Sequence, residues 1–213
     1  MIKPYYQDEW ATIYHGDCRE ILPQLDPVDL VTTDPPYGVG FKYESHNDSR
    51  EGYAEWALSC FHLYRERSQI TMLTTGIRNL WLYPAPDWVL CWAKPGSTRR
   101  SDLGGFNEWE PVLMYGKRRI YNDFKYLPDC ANHLKGKSEH PCPKPLTLYK
   151  WLIQQAGEVR TVLDPFMGSG TTLRAAKDLA VKSIGIEIEE KYCEIAVKRL
   201  RQETLLGLLE QPA

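Results

Sequence analysis

A chain of 213 residues, 43% hydrophobic and 25% charged, has the make-up of a globular domain, which excludes collagen-like, low-complexity and disordered classes. Its net charge of −2, from 26 Lys and Arg against 28 Asp and Glu, excludes a histone-like or polybasic protein and moves the search for a basic patch to local segments. The N-terminus has no apolar core of a signal peptide, and no apolar run approaches the roughly 18–20 residues that span a bilayer. A cytoplasmic protein of one domain, with no membrane partner, is therefore expected. In chain order, the sequence predicts a strand over 28–33, a helix over 52–67, and strands over 69–74 and 88–93. A further strand over 111–115 is placed at a sheet edge, because Pro111 cannot donate to a ladder. A long irregular stretch follows. A helix is then predicted over 145–156, with proline in its first turn and Gly157 at its end, followed by a strand over 161–163, a helix over 171–179 and a strand over 183–188. The last helix runs from 189 to about 206, where Cys193, Ala196, Val197 and Leu200 make one apolar stripe. This alternation, without internal repeats, predicts an α/β fold, doubly wound, with helices on both faces of the sheet.

Six cysteines (Cys18, Cys60, Cys91, Cys130, Cys142, Cys193) lack C-x-x-C spacing and read as reduced thiols, not as a disulfide framework or zinc ribbon. Cys130, His133, His140 and Cys142 offer four metal-ligand types close together, but their spacing fits no closed zinc site, so no metal is expected.

The most informative segment is Asp164-Pro-Phe-Met-Gly-Ser-Gly-Thr-Thr172. Gly168 and Gly170 allow positive φ and close backbone approach, while the amides of Thr171 and Thr172 open a helix and offer donors to a carboxylate or phosphate. A phosphate loop is excluded because no Lys follows the second glycine, and G-x-G-x-x-G is absent; the anion reads instead as an amino-acid carboxylate. Glu187 ends the next predicted strand, 23 residues after Asp164. At about that separation an acid in a nucleotide-binding βαβ unit accepts hydrogen bonds from ribose hydroxyls. Alone it would be an ordinary strand-end acid; beside Gly168 and Gly170 it predicts a nucleoside cofactor.

A second segment, Asp34-Pro-Pro-Tyr37, closes the strand over 28–33. Proline pairs are common in turns, but here the rings of Pro35 and Pro36 hold the backbone nearly rigid and aim a carbonyl that no neighbouring donor satisfies, with Tyr37 beside Asp34. That arrangement suits a flat amine. The exocyclic amino group of a nucleobase is a weak nucleophile because its lone pair is delocalised into the ring. If the Asp34 carboxylate and the Pro35 carbonyl accept its two N–H groups, the nitrogen moves toward tetrahedral and the lone pair is freed. Tyr37 is then placed to stack on the base.

Together these segments resemble the amino-group (N6-adenine/N4-cytosine) DNA methyltransferases, which carry D-P-P-Y with D-P-F-x-G-S-G-T-T. Two further landmarks are similar: His15-Gly-Asp-Cys18 with Ile21-Leu22, and His140-Pro-Cys-Pro-Lys-Pro145. The catalytic motif precedes the cofactor loop, as in the permuted β group of the family, and the resemblance covers nearly the whole chain. It implies a class I S-adenosylmethionine-dependent methyltransferase fold, circularly permuted, with a mostly parallel seven-stranded sheet in which the strands bearing the two motifs are neighbours. It implies S-adenosylmethionine as cofactor, held by Asp164, Pro165, Phe166, Gly168, Ser169, Gly170, Thr171, Thr172 and Glu187, with Asp17 near the adenine and Lys144 near the methionine end. The acceptor is then the N6 amine of adenine, since Asp34 is the acid form of the motif. Cytosine-N4 is the rival, because cytosine members more often have Ser there. An RNA methyltransferase and a catalytically silent DNA-binding module are two further readings.

In duplex DNA such an amine is tucked into pairing and stacking, so the nucleotide must be flipped out at a cost of a few kcal/mol. Residues 94–144 hold ten basic and six acidic side chains, a local balance of +4 that leaves −6 to the remainder. This segment is the expected DNA-contacting and target-recognition insertion, with Arg99, Arg100, Lys117, Arg118, Arg119, Lys125, Lys135 and Lys137 as phosphate contacts; solvated surface charge is the ordinary competing reading. The irregular stretch over 122–139 exceeds the roughly 12–15 residues usual for a connection, and a polar stretch over 42–51 reads as a lid that orders on DNA. The resemblance further implies double-stranded DNA as partner and a bacterial, archaeal or phage source. It leaves open a homodimer and a cognate restriction endonuclease.

Overall fold

In the computed structural model, residues 2–40, 51–94, 108–117, 127–128 and 144–202 are described. The chain opens with strands β1 (Tyr6–Gln7) and β2 (Ala11–His15), the short helix α1 (Cys18–Ile21) and β3 (Val28–Thr33). Helix α2 (Tyr53–Arg65) leads to β4 (Ser68–Thr74), β5 (Trp88–Ala93), β6 (Trp109–Tyr115) and β7 (Leu127–Pro128). The rest comprises α3 (Leu146–Ala156), β8 (Thr161–Asp164), α4 (Thr171–Asp178), β9 (Lys182–Glu187) and α5 (Glu190–Arg201).

The strands form one mixed sheet in the order β1-β2-β9-β8-β3-β4-β6-β5-β7. The expected count of seven strands is corrected, while the mostly parallel character holds, with five of the eight strand pairings among the described residues parallel. Nine strands pair among the described residues, two of them only two residues long, and β6 runs antiparallel to both its neighbours. The β2-β9-β8-β3-β4 part is parallel throughout. Parallel strands covered on both faces need apolar or β-branched residues at nearly every position, and Val28-Asp-Leu-Val-Thr-Thr33 supplies them with only Asp29 not buried. Alternation then sorts the side chains by face. Val31, Leu73, Leu113 and Leu163 pack with α1 and α2, while Leu30, Met72, Val112 and Val162 pack with α3 and α4. The predicted stripe on α5 holds: Cys193, Ala196 and Leu200 are fully buried against β2 and α4, with Val197 at the margin.

The strand containing Pro111 lies between β4 and β5, not at an edge. The sheet tolerates the proline because the β4 ladder ends at the pair Thr74–Val112, so Pro111 has a strand neighbour only on the β5 side. Strand β2 is absent from the sequence expectation; its five residues are bounded by no turn signal stronger than Gly16. The predicted lid over 42–51 lies outside the described residues apart from Glu51. Among the described residues no helix is long and apolar enough to cross a membrane.

Candidate active site

Strands β3 and β8 are hydrogen-bonded neighbours, in register at Leu30–Val162 and Val31–Leu163, as expected for the strands that carry the two motifs. From β3 the chain continues through α2 to β4 on one side, and from β8 through α4 to β9 on the other. The order of strands therefore reverses between them, and the crevice outside their carboxyl ends is where open α/β sheets bind ligands. A cavity of about 270 Å³ opens there, with Asp17, Asp34, Pro36 and Lys144 in its wall. Pro165, Phe166, Gly168, Ser169, Thr171 and Glu187 also line it.

Asp164, Gly170 and Thr172 do not line the cavity; they shape it from behind. Asp164 is 1% exposed. It accepts hydrogen bonds from Thr33 Oγ1 (2.7 Å), Thr172 Oγ1 (2.5 Å) and the Phe166 amide (3.1 Å), so one carboxylate ties the end of β3 to the cofactor loop. Gly168 and Gly170 have φ of 51° and 75°, and a Cβ on Gly170 would lie 2.7 Å from that of Ala196 on α5. Glu187, at the end of β9, accepts from the amides of Gly168 and Glu189, both at 2.9 Å. Its carboxylate is thus aimed by backbone on both sides.

Burial raises Asp164 to about 6 and Glu187 to about 7, against the pull of the hydrogen bonds each accepts. Both acids hold a proton more tightly in the fold than in the unfolded chain, where they titrate near 3.8 and 4.5. The folded state therefore binds more protons between about pH 4 and 7, and stability should fall as pH rises through that window. Thermal unfolding should show a higher Tm near pH 5 than at pH 7.5, worth roughly 2–3 kcal/mol per acid at most. The double variant Asp164→Asn, Glu187→Gln should flatten the slope; a Tm that rises with pH in the parent would contradict these environments.

At the end of β3, Asp34 Oδ1 accepts from Tyr37 OH (2.6 Å), Lys144 Nζ (2.7 Å) and Thr74 Oγ1. All three converge on one oxygen, and no donor among the described residues reaches Oδ2. The prolines do what their chemistry suggests: Tyr53 OH caps the Pro36 carbonyl at 2.7 Å, whereas no donor among the described residues reaches the Pro35 carbonyl. Asn79 Nδ2 donates to the Tyr37 carbonyl at 2.9 Å and fixes the loop from below. Tyr37 is half-buried, its hydroxyl also 2.6 Å from Glu110 Oε1 and its ring 5.1 Å from Lys144 Nζ. It is a wedged ring with a committed hydroxyl more than an open platform. Lys144 borders the cavity with its ammonium engaged with Asp34, and Asp17 is engaged with Arg19 at 2.5 Å.

Sequence reasoning missed Glu110, Lys94, Thr74 and the aromatic wall formed by Trp56, Tyr149 and Tyr192. The signal for Glu110 was present: an acid inside Trp109-Glu-Pro-Val-Leu-Met-Tyr115 is a charge in an apolar strand, and such a residue is buried only when paired. Of the predicted phosphate contacts, Lys117 is described, exposed just past the end of β6. Because β6 runs antiparallel to β4, it carries Lys117 to the end of the sheet away from Asp34. Arg99, Arg100, Arg118, Arg119, Lys125, Lys135 and Lys137 lie outside the described residues, as do Cys130, His133, His140 and Cys142. Two of the ten basic side chains in the 94–144 count, Lys94 and Lys144, are spent on acids of this site.

The chain is 26% identical to the type II methyltransferase M.HinfI of Haemophilus influenzae, across 95% of this chain and 71% of the relative. It is 26% identical to the type II methyltransferase M2.LlaDCHI of Lactococcus lactis subsp. cremoris, across 98% and 96% of the two chains. Among solved structures, the M1.HpyAVI–SAM complex superposes with a TM-score of 0.64 at 26% identity, covering 90% of this chain and all of that one. The cytosine-N4-specific PvuII DNA methyltransferase shares the fold with a TM-score of 0.76 at 19% identity, covering 95% and 90%. The family model for DNA methylase, of the N6/N4 type, matches residues 74–198, more than half of the chain, and the chain belongs to that family.

Proposed function

We propose that this chain transfers a methyl group from S-adenosylmethionine to the N6 amine of adenine in a nucleotide flipped out of double-stranded DNA. The observation that carries the reading is that Asp34, on the loop after β3, and Glu187, at the end of β9, border one cavity. At about 270 Å³ the cavity is near the roughly 300 Å³ lower end of ligand pockets. Its residues fit the cofactor: an acid oriented by two backbone amides, the apolar faces of Phe166 and Ile188, and the helix N-terminus at Thr171. S-adenosylmethionine, when bound, supplies an electrophilic methyl on a cationic sulfur. Glu187 would hold the ribose, Thr171 and its neighbours the amino-acid carboxylate, and Asp17 the adenine end. Asp34 Oδ2 and the Pro35 carbonyl would accept the two N–H groups of the target amine and free its lone pair.

Adenine is favoured by the acid at position 34. Cytosine-N4 is the second reading, favoured by the fold shared with a cytosine-N4-specific enzyme. The type II designation of the relatives supports restriction-modification as the setting, with a cognate endonuclease and a homodimer as further parts of the proposal. The test is transfer from labelled S-adenosylmethionine into duplex DNA, followed by digestion to nucleosides and mass measurement. N6-methyl-2′-deoxyadenosine is expected, N4-methyl-2′-deoxycytidine would move the acceptor to cytosine, and transfer to RNA in preference to DNA would overturn the reading.

A further inference from the structure

Glu110 is 7% exposed, on the interior strand β6. A carboxylate taken out of water is costly unless paired and hydrogen-bonded, and Glu110 is both. Its Oε2 lies 2.7 Å from Lys94 Nζ, while its Oε1 lies 2.6 Å from Tyr37 OH and 3.4 Å from Lys144 Nζ. Lys144 in turn lies 2.7 Å from Asp34 Oδ1 and 3.1 Å from Tyr37 OH. Asp34, Glu110 and Lys144 therefore surround one phenol, with Lys94 on the far oxygen of Glu110, and the four charges sum to zero. Tyr37 has a single hydroxyl proton for two carboxylate oxygens at the same distance, and Lys144 stands between the same two acids. Burial would push Glu110 up, but Lys144 and Lys94 outweigh it and hold the carboxyl at about 2, so its charge is constant across any assay range.

The arrangement has a cation on the oxygen-bearing group that must meet the substrate. An ammonium beside Asp34 weakens the carboxylate as an acceptor and opposes positive charge growing on the nitrogen it binds. We propose that Glu110 is a positioning residue for the acceptor site: it receives Lys144 when the target amine engages Asp34, and it keeps the surroundings neutral as the amine takes on charge. The inference rests on the methyl-transfer reading above. Methyl transfer passes one positive charge from the donor sulfur to the acceptor nitrogen, which then releases a proton to water; Glu110 remains ionised throughout.

The test compares the parent, Glu110→Gln, and the double variant Glu110→Gln, Lys94→Gln in methyl transfer to duplex DNA, with S-adenosylmethionine affinity measured separately by titration. Glu110 does not border the cofactor cavity, so Glu110→Gln should bind the cofactor like the parent while kcat falls about 10²-fold, the scale of removing one preorganised electrostatic group. Removing the Lys94 charge as well restores neutrality, and kcat should recover about tenfold or more. A merely structural acid would show instead in Tm and cofactor affinity, both falling with kcat in Glu110→Gln and returning with it in the double variant, whereas here kcat moves while both stay near the parent's. An unchanged kcat in Glu110→Gln, or no recovery in the double variant, overturns the inference while leaving the function standing. Should the single variant not fold, the double variant decides alone, since replacing both partners of a buried pair is far better tolerated than removing one; a loss beyond about 10²-fold in it overturns the inference. A parent that transfers no methyl to DNA overturns the proposed function itself.

Discussion

Asp34→Ala is expected to lower methyl transfer by about 10³-fold or more, because it removes the anionic acceptor on which activation of the amine depends. Cofactor affinity should stay close to the parent's, since Asp34 meets the cavity from β3, and the groups assigned to the cofactor come from β8, α4, β9 and, for Asp17, the turn between β2 and α1. The variant also frees Lys144, whose ammonium then has Glu110 at 3.4 Å as its remaining carboxylate among the described residues. Asp34→Asn is the companion measurement, since it keeps an oxygen for Tyr37 and Thr74 while removing the charge. Equilibrium titration and single-turnover transfer separate the outcomes. A large loss of cofactor affinity in Asp34→Ala would move Asp34 out of the acceptor role.

Glu187→Ala is expected to do the reverse. Hydrogen bonds to a charged carboxylate contribute about 1.5–3 kcal/mol, so the cofactor requirement should rise roughly 10- to 100-fold, with single-turnover transfer still measurable at saturation. The parent should also show a pH dependence that the variant lacks. The carboxylate of Glu187 must be ionised to accept from both ribose hydroxyls, and burial places it at about 7, so cofactor affinity should weaken as pH falls from 8 to 6. In Glu187→Gln that dependence should vanish. An unchanged cofactor requirement in Glu187→Ala would overturn the ribose assignment.

Both expected effects are legible in the sequence, because the strands that carry Asp34 and Asp164 are short, apolar and interrupted by residues with strong backbone preferences. Proline pairs and glycines at 168 and 170 act locally, so sequence exposes them directly. What sequence conceals is everything that depends on sheet order. Pro111 suggests an edge strand, yet its partner β4 simply stops one residue earlier. Lys94 and Lys144 add to the local positive charge, yet they fold onto acids 16 and 110 positions away in the chain. Glu110 counts in the sequence only as a subtraction from that charge, although its setting among apolar neighbours marks it as paired. Trp56 and Tyr149 sit on the apolar faces of their helices, and periodicity alone assigns such residues to core and not to a ligand wall.

The bond from Thr33 to Asp164 spans the seam between two halves of the sheet, and its meaning is kinetic as much as structural. Bringing two reactants together in solution demands surrender of translational and rotational freedom, and correct mutual placement is worth about 7–11 kcal/mol of barrier. In the proposed reaction the seats for donor and acceptor are joined by a ladder and a side-chain bridge from the moment the chain folds. The separation between the seats belongs to the scaffold and does not have to be searched for at each turnover.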